Sequence, residues 1–420
     1  MEQKIFTVAI IGCGGRGVDA YGSLINEKKD RFKIVALCDK RGAWLEKSGE
    51  IFGVDKENLF LTEKKFFKKK RADLLLIATP DDCHVRHALK GFKLGYDLMI
   101  EKPLSDKKSD CAKLLKAKKK YGGKALVCHV LRYAPAFMKA KEILSSGEIG
   151  DLVSVDALER VGAWHYAHSY TRGNWRNRKI AAPMILAKCC HDLDLLQYYA
   201  GAKCKTVSSV GDLRFFNANH KPEGATERCL DCPHADTCAF SAKRQYLDGF
   251  VEKGCPEDLW PFNIITIAPV TLEKLNTALR EGPYGRCVFA CDNDVVDHQH
   301  TLMTFENGVK ASLTMTAFTG WGGRRITFYC THGDLVLDEQ SQTLSVTKFG
   351  EKIKVIPIAE LVEKGYGHGG GDAGLINKLY DVLSGTVEVD TSLEASLESH
   401  LIGIRAEESR LKGGKLLRVH

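Results

Sequence analysis

Residues 6–17 read FTVAIIGCGGRG: six mainly apolar residues that run straight into Gly12, Gly14 and Gly17, spaced G-x-G-x-x-G. An apolar hexamer of this kind is the pattern of a strand buried on both faces. The glycines after it permit a tight turn, close approach of backbone to a ligand, and close packing of the next helix. With Gly15 and Arg16 between them, they set backbone N–H groups at a helix N-terminus, where a pyrophosphate is held. Asp39 ends the second apolar run, 22 residues after Gly17. A carboxylate at that spacing suits the adenosine ribose of a dinucleotide. It also disfavours a 2′-phosphate, so NAD is expected over NADP, although Lys40 and Arg41 follow at once and attract such a phosphate.

Outward from this stretch, the first 130 residues alternate apolar runs with amphipathic ones. Strands are expected at Phe6–Ile11, Lys33–Cys38, Asp73–Ala78, Asp97–Ile100 and Lys124–Cys128. Helical patterns cover Gly42–Phe52, Asp81–Leu94 and Ser109–Lys120. Such alternation means βαβ units and a parallel, doubly wound sheet of the Rossmann kind over 1–130. After about residue 150 the period changes to two, at Leu152–Leu158, His300–Phe305, Lys310–Ala317, Arg325–Cys330 and Thr343–Lys348, with turns at Asn307-Gly308 and His332-Gly333. The fold class is therefore α/β: a Rossmann sheet plus a C-terminal α/β domain, 131–420, with a large, mostly antiparallel open sheet. One helix is expected over Pro183–Tyr199. Residues from about 212 to 291 break both patterns and read as a cysteine-rich insertion. Leu393, Leu397, Leu401 and Ile404 mark a closing helix, about 392–412, packed on one of the sheets.

The chain has 420 residues, 44% of them hydrophobic and 27% charged, the composition of a globular protein of two or three domains. No apolar run approaches a membrane span, and the N-terminal one reads as a strand and not as a signal peptide. Residues 1–150 carry 31 Lys+Arg against 19 Asp+Glu, and the remainder 30 against 34. The lysines cluster with few aromatics between them, so solvated helix faces are expected and no nucleic-acid partner. Fifteen cysteines, an odd number, point to a reduced, cytoplasmic setting without a disulfide framework.

Thr79-Pro80 follows one strand, with His84 in the next helical turn, and Glu101-Lys102-Pro103 follows another. Both lie at carboxyl ends of parallel strands, where open α/β sheets bind ligands. The glycine loop, "ATPDDCHVRHAL", "EKP", and "WR" at 175–176 followed by "HDLD" together resemble the Gfo/Idh/MocA oxidoreductase family over nearly the whole chain. The resemblance implies a nicotinamide-dependent enzyme acting on a sugar, inositol or related polyol. It implies Lys102 beside the nicotinamide and His191 as the catalytic histidine, with Thr79, Pro80, His84 and Glu101 around the cofactor.

Hydride leaves a carbon whose hydroxyl must lose its proton, so a base and a cationic donor are needed at one oxygen. Lys188, His191 and Asp194 recur every three residues and would share a helix face. Asp194 is then expected to orient the imidazole, and Lys188 to lower its pKa. The chain departs from the family here: Ala187 stands where many members have Asp, so Lys188 is a third catalytic candidate. The departure leaves redox-neutral glycoside cleavage open, by oxidation, elimination, hydration and reduction. A non-catalytic nucleotide or sugar sensor is a further alternative. Arg132, Tyr133, His165, Tyr166, Trp175, Arg176 and the glycine-flanked His368 are candidate contacts for a small sugar-like substrate.

Cys229, Cys232 and Cys238 fall within ten residues beside Pro233, a spacing suited to a tetrahedral structural zinc. Cys287 is the preferred fourth ligand, over Cys291, Cys255 and His234; an iron–sulfur cluster and free thiols are the other readings. An antiparallel sheet of this type often pairs with a second copy, so a homo-oligomer is expected.

Overall fold

A computed structural model of the chain describes residues 4–362 and 367–420. The first sheet is built from β1 (Phe6–Ile11), β2 (Phe32–Cys38), β3 (Leu59–Phe60), β4 (Leu74–Ile77), β5 (Asp97–Ile100) and β6 (Ala125–Val127). Their order is β3-β2-β1-β4-β5-β6, parallel throughout. Val8, Ala9, Ile10, Leu75, Leu76 and Ile77 are fully buried, which is why these strands read as unbroken apolar runs. The two-residue β3 at the edge is too short to carry a pattern.

Fifteen strands in all are described. The second sheet takes β7 (Leu152–Arg160), β8 (Cys204–Asp212), β9 (His298–Phe305), β10 (Lys310–Thr316), β11 (Gly323–Cys330), β12 (Gly333–Asp338), β13 (Thr343–Lys348), β14 (Lys354–Pro357) and β15 (Leu417–Arg418). The order is β14-β13-β12-β11-β7-β10-β9-β8-β15, with β7 and β10 parallel and the other pairs antiparallel. One face packs on helices through Val155, Ala157, Leu313, Met315, Ile326 and Phe328. The other leaves Val153, Val210, Leu302 and Tyr329 exposed.

The two C-terminal helices do not stay with the second sheet. Leu375, Ile376 and Leu379 of the Gly371–Ser384 helix join the core formed by Val8, Ile10, Leu74 and Leu126. The Leu393–Leu411 helix, about 30 Å long, buries Leu393 and Leu397 against the first sheet and Ile402 and Ala406 in the core of the second. It therefore packs on both sheets, not on one as its short apolar repeat suggested.

The expected helix over Pro183–Tyr199 is interrupted. Met184–Ala187 and Cys190–Ala200 are separate helices, with Lys188 and Cys189 between them. The break leaves the Ala187 carbonyl at a helix end, where it needs an outside donor; Lys102 Nζ supplies one at 3.1 Å. Lys188 turns instead toward β7 and pairs with Glu159 at 3.2 Å. Lys188, His191 and Asp194 thus do not share one continuous helical face.

Between β8 and β9 the chain folds around two small cores of its own, Cys229–Ala242–Tyr246–Leu279–Tyr284 and Phe250–Phe262–Val270–Leu275. Its two ends are joined by a bridge between Arg228 and Arg286 and by Cys287 N donating to Glu227 O at 2.9 Å. Among the described residues, no helix is long and apolar enough to cross a membrane.

Candidate active site

The glycine loop follows β1 directly. Gly12 has φ +99°, and a Cβ there would fall 2.4 Å from the Ala78 carbonyl oxygen; one on Gly17 would fall 2.0 Å from Gly12 O. These two positions are closed to any side chain by backbone. Gly14 and Gly15 instead line a cavity of ≈ 220 Å³, together with Arg41, Trp44 and Lys47. Asp39, at the end of β2, accepts Cys13 N at 2.8 Å and is clamped by Arg41 through its backbone N–H, Nε and Nη2 at 2.8–3.0 Å. Burial pushes this carboxyl up, but the Arg41 and Cys13 bonds outweigh it and hold it below the usual carboxylate range. Lys40 is exposed and does not line the cavity; Arg41 does.

Arg16 reaches from the loop to Glu101 Oε1 at 2.8 Å and to Asp372 at 2.8 and 3.0 Å. Tyr21 OH also donates to Glu101, at 2.7 Å. Glu101 is thereby an anchor for the Lys102 turn, and its oxygens already have protein partners. His84 is a bracket as well: Nε2 lies 2.7 Å from Thr79 O and Nδ1 2.7 Å from Pro103 O, tying the turn after β4 to the turn after β5. The Thr79 hydroxyl meets His87 Nδ1 at 3.1 Å, and Pro80 opens the turn that carries Asp81.

Lys102 and His191 come together in the buried centre. Burial opposes the charge on Lys102, but Cys190, Glu101 and Asp81 outweigh it and raise its pKa. His191 is held well below its ordinary value, first by burial, then by the Lys102 ammonium. Its Nδ1 is buried without a protein partner. The neighbouring cation is therefore Lys102 and not Lys188, as the sequence spacing suggested. His129 and His368 stand 6.0 and 6.1 Å from the His191 ring. His368, half-exposed with φ +52°, bonds Asp372 at 3.0 Å. His165 belongs to the same pocket: burial and then Lys188 hold it well below its ordinary value, with Lys102 contributing.

Asp194 does not orient His191. Its two oxygens accept Arg132 Nε and Nη2 at 2.7 Å each, a bidentate pair buried beneath the site. Arg132 is occupied by that pair, and Tyr133 OH meets Thr391 Oγ1 at 3.0 Å, so neither faces a substrate. Tyr166 lies in the core with its OH donating to Val295 O at 3.0 Å. Arg176 pairs with Asp292 at 2.8 Å. Trp175, half-exposed, donates from Nε1 to Asp81 at 3.4 Å and so borders the Lys102 pocket.

Asp81, His129 and three members of a buried ionic quartet, Glu159, Asp192 and Arg324, were not singled out in the sequence. Arg324 bonds Asp192 at 2.8 Å and Glu159 at 2.9 Å, and Lys188 completes the set. Burial pushes Asp192 up to about 7, with Arg324 opposing and Glu159 reinforcing the rise. The adjacency of Asp192 to His191 was the one available signal.

Cys229, Cys232, Cys238 and Cys287 line one small cavity with His234 and Phe240. Phe240 N donates to Cys238 Sγ at 3.4 Å and Arg172 Nη2 to Cys229 Sγ at 3.5 Å. Among the described residues, the set of three ligand-type side chains whose donor atoms all lie within 4.8 Å is Asp212, Asp297 and His298. The sulfurs therefore converge on one place without standing at ligand spacing. Asp297 already accepts the Phe215 N–H at 2.7 Å and that of Arg214 at 3.1 Å, with His298 Nδ1 at 2.9 Å, which makes that set a structural knot.

A doubly wound sheet with a dinucleotide loop, and a lysine–histidine pair above its carboxyl edge, defines a nicotinamide-dependent oxidoreductase. Residues 6–129 match the oxidoreductase family's NAD-binding Rossmann fold, and residues 141–416 its C-terminal alpha/beta domain. The chain belongs to this family, Gfo/Idh/MocA. It is similar to YteT of Bacillus subtilis, 26% identical over 349 residues, 76% of this chain and 77% of that one. It is also similar to 2,7-anhydro-N-acetylneuraminate hydratase of Escherichia coli, 25% identical over 142 residues, 34% and 37% of the two chains. Among solved structures, a levoglucosan dehydrogenase in complex with NADH and levoglucosan shares the fold, with TM-score 0.72 and 17% identity over 99% of this chain and 100% of that one.

Proposed function

We propose that the chain moves a hydride between a nicotinamide cofactor and a hydroxyl-bearing carbon of a sugar, inositol or related polyol. The observation that carries this reading is the cationic Lys102 beside a neutral, unpartnered His191 in one buried pocket. Gly14, Gly15, Asp39 and Arg41 would hold the cofactor, whose nicotinamide accepts or returns the hydride. His191 takes the hydroxyl proton, since a neutral imidazole with a free nitrogen is a competent base. Lys102 donates to the same oxygen as its bond order to carbon rises. His165 borders the pocket and binds a neighbouring hydroxyl. Incubation with sugars and aryl glycosides, with and without NAD, tests the reading. NADH accumulation on a polyol supports it; no turnover on any member of the panel counts against it.

The similarity to a hydratase supports a second reading, redox-neutral cleavage of a glycosidic or anhydro linkage. In that case aglycone appears without net NADH.

The Asp39 carboxylate supports NAD over NADP, and Arg41 is the residue that would meet a 2′-phosphate. A zinc ion at Cys229, Cys232, Cys238 and Cys287 would staple the two ends of the insertion. The exposed Val153, Val210, Leu302 and Tyr329 support self-association through the open sheet face, and fifteen free cysteines fit a cytoplasmic setting.

A further inference from the structure

The cavity beside the glycine loop has two walls. One is the expected Rossmann wall: Gly14, Gly15, Arg41, Trp44 and Lys47. The other is Asp258, Asn263, Ile264, Ile267 and Ala268, all from the insertion, more than 200 residues away in sequence. Contact between the walls is direct. Lys47 Nζ lies 2.9 Å from Asp258 Oδ2, and Asn263 Nδ2 donates to Asp258 Oδ1 at 2.9 Å. Ile264 Cδ1 stands 3.5 Å from where a Cβ on Gly15 would be. Two residues after Asp258, Trp260 packs its ring 5.8 Å from His165 at the substrate end. One short stretch of the insertion thus meets both the glycine-loop end of the cleft and His165 at the other.

We propose that residues 258–268 are part of the dinucleotide site: they close over the adenylate half, latched by Lys47–Asp258, so that the cofactor stays bound between turnovers. This rests on the reading that the cleft takes a nicotinamide dinucleotide. A site walled on both sides releases its ligand only when one wall swings away, so the effect falls on the dissociation rate. A retained cofactor is reoxidised where it was reduced, by returning the hydride to a carbonyl in the same cleft.

The sign of one substitution separates a latch from simple electrostatics. Asp258 faces a cleft that receives an anionic pyrophosphate. With no latch, Asp258→Asn removes a repelling charge and slows NADH release. With the latch, the same change frees the strap and speeds release. The pair is solvent-exposed, so salt weakens it.

The experiment uses the full-length protein loaded with NADH and chased with excess NAD in a stopped-flow fluorimeter. Release from the native protein should be slow and should quicken with ionic strength. Asp258→Asn should release NADH faster at low salt and lose the salt dependence. Ile264→Ala, which trims the strap without touching a charge, should also be faster, by about tenfold. Melting temperatures near the native value confirm that each variant is folded. Release slowed or unchanged in Asp258→Asn, with Ile264→Ala at the native rate, overturns the proposal. Native protein that binds no NADH overturns the cofactor reading itself, a distinct result.

Discussion

Arg16 Nη2 on the glycine loop stands 2.8 Å from Asp372 Oδ1 in the first turn of the Gly371–Ser384 helix. The same guanidinium holds Glu101, so the cofactor loop, the Lys102 turn and the His368 loop meet through one side chain. Burial opposes the charge on Asp372, but the bonds from His368 and Arg16 hold its pKa far below the carboxylate range. A depressed folded-state pKa contributes stability above about pH 4 that is lost as pH falls below it. Arg16→Ala strips two buried carboxylates of their partner, a loss of up to about 3–5 kcal/mol at neutral pH. The melting temperature should drop, and its acid dependence should flatten, in a thermal scan from pH 3 to 8. A native-like profile in the variant counts against the network.

His191→Ala should lower kcat by roughly 10²- to 10⁴-fold while NADH affinity stays near native. Lys102 depresses the imidazole pKa, so in Lys102→Met the acid limb of the residual pH–rate profile should move to higher pH. Lys188→Ala should leave that limb in place, because Lys188 is paired with Glu159. A shifted limb in Lys188→Ala and none in Lys102→Met would reverse the two roles.

Asp192, pushed up to about 7, binds a proton in the folded protein that the unfolded chain has lost. A raised carboxyl pKa contributes stability below about pH 4 that disappears as pH rises through 7. Asp192→Asn should therefore reduce the fall of melting temperature between about pH 4 and 7. Lys188→Ala, which removes a charge that lowers the Asp192 pKa, should move the fall to higher pH. Both read out in the same buffer series.

Asp39→Ala should weaken NAD and improve NADP relative to it, since the carboxylate serves the ribose diol and repels a 2′-phosphate. The change also frees Arg41 from its clamp. Arg41→Ala should then cost NADP more than NAD in the double variant. Equal affinities throughout, by fluorescence titration, would place both residues outside the ribose site.

The four sulfurs do not stand at ligand spacing, so a zinc there would have to draw them together; about one zinc per purified chain, lost in Cys232→Ser with a lower melting temperature, would support the site. Metal-free native protein of equal stability would leave the cysteines as packed thiols around an empty cavity. Elemental analysis before and after chelation decides it.

Five strands of the first sheet and their parallel arrangement were legible because both faces are buried, so each reads as an apolar run. The period-two strands around β7, β9, β10, β11 and β13 were legible for the converse reason, one face wet and one dry. β3, β14 and β15 carry too few residues or too little burial for either signal. The regular spacing of Lys188, His191 and Asp194 misled because helical period assumes an unbroken helix. At the break Lys188 pairs with a carboxylate on β7 and the Ala187 carbonyl takes an ammonium from after β5, and neither partner is visible from the helix itself.

By itself, the sequence determined the dinucleotide loop, the acid at the end of β2, the lysine after β5 and the histidine that faces it. The first three depend on local backbone requirements, a glycine where a Cβ would strike Ala78 or Gly12 and a side chain at a strand's carboxyl end; the histidine, in the Cys190–Ala200 helix, came from the family resemblance. Only the tertiary structure decided which charges are already spent. Arg132 on Asp194, Glu101 on Arg16 and Lys188 on Glu159 are pairings across 62, 85 and 29 residues of chain. Only it brought Asp258 and Ile264 onto the glycine loop. Charge pairing and cavity walls depend on distance in space, and between segments so far apart no periodicity in the chain records that distance.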